Sequence, residues 1–213
     1  MKILRNQFFN TIRNSLKTIV LSLIVSLGLF NINAQVQLKI EPGVLLNTES
    51  ENLGLMLNIE PFIEISSNKV IGLRFGLALN PQRFETNDSS QFFFDDVNDN
   101  AILSFMPTFN HYFNKNYTRP YLGMGLGYYV FSSVDIANPS GGITEARIDN
   151  QLGFLLRGGV HWGKTKFGLE YNFIPKADIK IANDLIIGTA ANSYYGVSIG
   201  FMIGGTKSTL QAQ

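Results

Sequence analysis

The chain has 213 residues, of which 15% are charged, and its formal charge is +1. That balance excludes an electrostatically bound nucleic acid. The absence of cysteine excludes a disulfide framework, a thiol catalyst, a Cys-based metal site and a lipid-modified N-terminal cysteine.

The length predicts one domain. The 20 glycines and 17 phenylalanines suit a lipid-facing surface better than a water-facing one. Residues 1–34 read as a secretory signal peptide. Lys2, Arg5, Arg13 and Lys17 form its positive start, Thr18–Phe30 its apolar run, and cleavage is expected near Ala34. Ile32 is a large residue for its place before the cut, and the alternative is an uncleaved N-terminal anchor. The apolar run is short for a spanning helix. Without these four bases, 13 basic residues face 16 acidic ones. No other stretch approaches a transmembrane helix, so any membrane crossing is expected in strands.

From Gln35 onward the chain alternates. In a strand, successive side chains point to opposite faces. Val36–Leu46 places Val36, Leu38, Ile40, Pro42, Val44 and Leu46 on one face, with Gln37, Lys39, Glu41, Gly43 and Leu45 on the other. Leu55–Ser66 sets Leu55, Leu57, Ile59, Pro61, Ile63 and Ile65 against Met56, Asn58, Glu60, Phe62 and Glu64. The tight turn Ser66–Lys69 leads into Val70–Asn80, where Ile71, Leu73, Phe75 and Leu77 alternate with Gly72, Arg74, Gly76 and Ala78. Pro81–Asn100 reads as a long polar loop. Ile102–Asn114 follows, with Leu103, Phe105, Pro107 and Phe109 outward; a bulge is expected in its closing His111–Asn114.

Pro120–Phe131 is the clearest strand. Leu122, Met124, Leu126, Tyr128 and Val130 make one greasy face, and Gly123, Gly125 and Gly127 lie on the other. Its length suits a tilted transmembrane strand. After the breaker-rich loop Ser132–Asp149 come Gln151–Trp162, a tight turn, and a strand from Lys166 to Phe173. Pro175–Asn192 is a third long connection, its first half a candidate extension of the preceding strand. Tyr194–Ile203 closes the set.

Eight strands in phase, with mostly alternating short and long connections, predict an all-β fold: an eight-stranded antiparallel up-and-down transmembrane β-barrel. Both termini would be periplasmic. Tyr112, Phe113, Tyr121, Trp162 and Phe201 are expected toward the periplasmic rim, and Tyr128, Tyr129, Phe131, Phe173 and Tyr195 toward the external one. Every inward set is expected to be small or polar.

Met106–Tyr129 (MPTFNHYFNKNYTRPYLGMGLGYY) and Tyr194–Ile203 (YYGVSIGFMI) carry a resemblance to a known family. Across nearly all of residues 35–204 the chain resembles the small eight-stranded outer-membrane β-barrels of Gram-negative bacteria, the OmpA/OmpX-like barrel domains. The resemblance implies residence in the bacterial outer membrane, contact with its lipid and lipopolysaccharide, a monomer, and recognition of Tyr194–Ile203 by the barrel-assembly machinery. Residues 205–213 form a short polar tail where family members often end on the terminal aromatic.

The inward charges are Lys39, Glu41, Glu60, Glu64, Arg74, Arg157, Lys166 and Glu170. Charges in a narrow barrel must pair or be hydrated. They predict a salt-bridge network that fills the lumen, with Arg74 and Arg157 pairing among Glu41, Glu60 and Glu64. Eight strands leave an interior that side chains can fill; the alternative is a gated polar pore. His111 and His161 fall at the periplasmic strand ends, outside any Ser or acid motif, so no catalytic residue, cofactor site or resident metal is assigned. Asp95, Asp96, Asn98 and Asp99 offer oxygens to a divalent cation, without the glycine and distal Glu of an EF-hand loop; a solvated acidic loop is the plainer reading. The expected function is a non-enzymatic structural or surface-interaction role. The alternatives are a narrow pore or transporter and, less favoured, a lipid A-modifying enzyme.

Overall fold

The computed structural model describes residues 36–49, 53–79, 81–86, 100–137, 143–181 and 184–203. The expected signal peptide, the tail and the acidic segment Asp95–Asp99 lie outside them.

The described residues form thirteen strands: β1 (Gln37–Asn47), β2 (Leu53–Ser66), β3 (Lys69–Leu79), β4 (Arg83–Thr86), β5 (Ala101–Tyr112), β6 (Thr118–Phe131), β7 (Val134–Ala137), β8 (Ile143–Ile148), β9 (Gln151–Trp162), β10 (Thr165–Phe173), β11 (Ala177–Lys180), β12 (Ile186–Ala191) and β13 (Tyr194–Ile203). Eight of them close a barrel in the order β1-β13-β10-β9-β6-β5-β3-β2. Every neighbouring pair is antiparallel, and β1 meets β13 to close the wall.

The period-2 pattern sets which way each side chain points. Leu55, Leu57, Leu103, Phe105, Leu122, Leu126, Leu152, Leu169 and Val197 are exposed on the outer wall. So broad an apolar surface suits lipid, since water-soluble monomers rarely expose one. Through β5 the alternation runs unbroken to Tyr112, with continuous pairing to β3 and, from Thr108 to Tyr112, to β6. The expected bulge at His111–Asn114 is absent, because the tight turn begins only beyond Tyr112. A register irregularity occurs instead between Glu64 and Ser66, beside the β2–β3 turn.

Three outward prolines interrupt the ladders. The β1–β13 register stops at Ile40↔Phe201 and resumes at Gly43↔Ser198, around Pro42. The same gap appears around Pro61 toward β3 and around Pro107 toward β6. Proline has no N–H to donate, so the facing carbonyl of Ile199, Leu73 or Leu126 loses its ladder donor.

The three stretches expected as long connections contain strands, and the first half of Pro175–Asn192 extends β10 as β11, as its pattern suggested. These strands form a five-stranded sheet of order β4-β12-β11-β8-β7 beyond the long-loop end of the barrel. β6 runs on into β7, β8 into β9, β10 into β11 and β12 into β13, each across a short break. β4 continues β3 but pairs with β12, which leads into β13, although β2 and β1 separate β3 from β13 in the ring. One face of this sheet carries Glu85, Glu145, Arg147 and Asp178 to solvent. The other buries Val134, Ile136, Ala146, Ile148, Ala177, Ile179, Ile187 and Ala190.

A belt of amides lies where the wall bends into the sheet. Asn47 Nδ2 donates to the carbonyls of Pro81 (2.6 Å) and Ala191 (3.0 Å). Gln82 Nε2 donates to Asn192 Oδ1 at 2.8 Å, and Asn192 Nδ2 to the Pro175 carbonyl at 3.1 Å. These side chains satisfy backbone carbonyls where the ladder is broken, as buried polar groups require. Outside the belt, Lys176 bridges Glu49 (2.8 Å) and Glu85 (3.4 Å), and Arg83 donates to the Glu49 carbonyl. Its hydrogen bond to Glu49, then that to Glu85, raises the Lys176 ammonium above its ordinary pKa.

Candidate functional site

The barrel interior is stacked in three layers. At the short-turn end Phe62, Val70, Tyr112 and Tyr121 cluster with Met202. The Arg119 guanidinium lies over the Tyr112 ring at 4.3 Å and donates to the Ser67 carbonyl at 2.7 Å. This aromatic floor takes its residues from the inward positions of β2, β3, β5 and β6.

The middle layer is charged. Glu60, on β2, is one hub. Arg157 grips it with two hydrogen bonds, Nη1 to Oε2 at 2.7 Å and Nη2 to Oε1 at 2.6 Å. Lys39 Nζ is 2.9 Å from Glu60 Oε2, and Thr108 Oγ1 donates to Oε1 at 2.7 Å. Glu41 is the second hub, with Arg74 at 3.4 Å, Lys166 at 3.4 Å, Arg157 at 3.6 Å and Lys39 at 3.7 Å. Arg74 reaches across to Glu170, which accepts from Asn172 Nδ2 at 2.9 Å; Asn172 Oδ1 in turn accepts from Tyr129 Oη at 2.9 Å. The linked groups run from wall to wall across the lumen. Glu60, Arg74 and Lys166 are 0% exposed. Bidentate Arg–carboxylate geometry is the strong form of such pairs, and multiple partners are what make a buried carboxylate tolerable.

Glycine makes room for this layer. A Cβ on Gly72 would lie 2.5 Å from Glu60 Oε1. On Gly123, in register with Arg157, it would lie 2.2 Å from Asn110 Oδ1, the oxygen that accepts from Arg157 Nε.

Seven of the eight sequence-selected charges thus meet: Lys39, Glu41, Glu60, Arg74, Arg157, Lys166 and Glu170. Glu64 does not. It shares a face with Glu60, but there β2 has run past the barrel end and the carboxylate is exposed. Arg74 therefore pairs with Glu170 and Glu41, not with Glu64. The seven groups carry four cations and three anions. Lys166, the outlier, makes no hydrogen bond through Nζ and sits 3.9 Å over the Tyr121 ring.

The third layer overturns the expectation that every inward set is small or polar. Leu45, Met56, Ala78, Ile102, Met106, Tyr129, Leu155 and Tyr194 fill the upper lumen and join the buried face of the five-stranded sheet in one apolar cluster. The signal was visible in the pattern, since Met56, Met106 and Leu155 occupy inward positions. Four aromatics are likewise misplaced by a girdle reading: Tyr112, Tyr121, Tyr129 and Phe131 are buried inside. Phe113, Tyr117, Trp162 and Phe201 form the outer aromatics of the short-turn rim, and Tyr128, Phe173 and Tyr195 those of the other.

Both histidines contact aromatic rings. His161 packs inside against Tyr112, at 5.8 Å between centroids, and His111 on β5 lies edge-on to Phe113 at 5.3 Å. Among the described residues no group of three or more His, Asp or Glu could hold a metal ion.

No family model matches the sequence, and comparison with curated proteins yields no match. Solved structures do match. Neisserial surface protein A aligns with a TM-score of 0.50 at 14% identity, over 80% of this chain and 98% of its own. The outer membrane protein OprG from Pseudomonas aeruginosa aligns with a TM-score of 0.52 at 12% identity, over 81% and 98%. At such identities the likeness is one of fold, and the closed ring with its lipid-facing wall agrees with it: this chain has the fold of the small eight-stranded outer-membrane β-barrels.

Proposed function

We propose that the protein is a non-conducting, non-enzymatic outer-membrane barrel that carries its five-stranded sheet outside the membrane as an interaction surface. One observation carries the reading: the ion-paired layer spans the lumen, with its central side chains fully removed from solvent. An aqueous pore through this layer would require Glu60 and Arg157 to separate, and breaking a buried pair is strongly unfavourable. The apolar layer above would add a dry segment. Polar side chains on the outer face of the sheet suit a partner met in water.

Planar-bilayer recording tests the reading. The purified barrel is expected to give no sustained conductance. A stable open level in the wild-type protein would replace the plug with the alternative, a narrow pore for small molecules. The cellular part of the proposal is export by residues 1–34, cleavage near Ala34, assembly through Tyr194–Ile203 and contact with lipopolysaccharide. Membrane fractionation and N-terminal sequencing test location and cleavage; a soluble periplasmic product would overturn the location.

A further inference from the structure

Among the described side chains, the two ends of the barrel carry opposite charge. Each of the three tight turns at the short-turn end brings one exposed lysine: Lys69 beside the β2–β3 turn, Lys115 between β5 and β6, and Lys164 between β9 and β10. Arg119 adds a fourth cation, and Glu64 is the sole acid among the described residues there. None of the three lysines makes an ion pair among the described residues. At the other end, among the described side chains, six acids (Glu49, Glu85, Glu145, Asp149, Asp178 and Asp184) face four cations (Arg83, Arg147, Lys176 and Lys180), and two of those cations are already paired.

The lysines also stand at a fixed depth. They adjoin the edge of the apolar band, among the outward aromatics Phe113, Tyr117 and Trp162; Tyr117 and Trp162 meet edge to face at 6.4 Å. Aromatic rings with one apolar and one wet end mark the level of lipid headgroups. Long lysine stems there carry their ammonium groups into the phosphate layer.

We infer that the short-turn rim is a binding surface for anionic phospholipid, with Lys69, Lys115 and Lys164 receiving headgroup phosphates of the leaflet that this rim meets. The inference rests on the membrane-spanning reading. Charge complementarity selects the ligand: unpaired cations set around the circumference suit a layer of separate anionic headgroups. A single compact anion would need the cations converged on one point.

The chain contains one tryptophan, Trp162, and it lies on this rim two residues from Lys164. Its fluorescence is a local reporter. The full chain is folded into phosphatidylcholine vesicles containing a fixed fraction of phosphatidylglycerol or phosphatidylcholine brominated near the headgroup. Quenching by the two is compared. A lysine close to an anionic surface favours it by about fivefold, so brominated phosphatidylglycerol is expected to be enriched about fivefold or more around Trp162. The enrichment should shrink in high salt. It should fall to near parity in the triple variant Lys69→Gln, Lys115→Gln, Lys164→Gln. It should persist in the control Lys176→Gln, Lys180→Gln. Folding of each variant is checked by its heat-modifiable gel mobility, which these exposed substitutions leave intact. Equal quenching in the wild type, or full enrichment in the triple variant, would overturn the inference while leaving the spanning barrel in place. Absence of quenching by either lipid would overturn the spanning reading and this inference with it.

Discussion

Arg157 and Lys166 are both buried cations on the lumen wall, yet their loss should have very different consequences. Arg157 makes three short hydrogen bonds, two to Glu60 and one to Asn110. Arg157→Met would leave Glu60 buried with Lys39 and Thr108 as its remaining partners. Removing one partner of a buried pair costs about 3–5 kcal/mol, and the surviving contact at Lys39 puts the expectation near the lower figure. Lys166 has only the 3.4 Å contact to Glu41 and the Tyr121 ring. It also supplies the cation by which the layer exceeds its three anions. Glu41 retains Arg74, Arg157 and Lys39 in its absence. Lys166→Met keeps a long flexible stem in place and removes a desolvated charge, so its effect should stay within about 1 kcal/mol of zero, of either sign. Equilibrium urea unfolding in vesicles, followed by Trp162 emission, measures both variants on one scale. If Lys166→Met destabilises as much as Arg157→Met, the layer does not depend on specific pairing, and the reasoning from geometry fails.

Further outcomes can be checked in the same assay. Gly125 faces the lumen, where a Cβ would already sit 3.0 Å from the Pro107 carbonyl and 3.2 Å from Thr108 Cγ2. Gly125→Leu should therefore lower stability by about 1–3 kcal/mol, whereas the neighbouring lipid-facing Leu126→Val should stay within about 0.5 kcal/mol; equal shifts would contradict the facing. Asn47→Ala removes two buried hydrogen bonds at the amide belt, worth about 1–3 kcal/mol together. That loss should appear as faster protease cleavage of the extramembrane sheet, with the barrel's gel mobility unchanged; unaltered cleavage rates would count against a role for the belt. Pro42→Val restores a donor opposite Ile199 in the closing seam, where an unsatisfied carbonyl in lipid is costly. It should raise the urea midpoint and slow amide exchange along β1 and β13, and a lowered midpoint would refute the ladder argument.

What was legible in the sequence was local. Strand alternation has a period of two, so Leu122, Met124 and Leu126 had to face opposite to Gly123, Gly125 and Gly127 wherever the strand ended up. The same logic placed Lys39, Glu41, Glu60, Arg74, Arg157, Lys166 and Glu170 on inward positions before any partner was known. The short strands beyond the barrel were harder to see. Ile143–Ile148 alternates too, but six residues among breakers read as loop until they have a sheet to join. Tertiary structure alone decided the rest. Arg74 meets Glu170 across 96 positions of sequence, and Arg157 meets Glu60 across 97. Those meetings depend on strand stagger and on which walls of a closed ring face each other, quantities that no window of sequence contains. Stagger also carries Glu64 past the barrel's end while leaving Glu60 inside. Likewise, β4 pairs with β12 because only the ring brings those elements together. The pattern of faces belongs to the chain; the depth of each residue, and so its partner, belongs to the closed barrel.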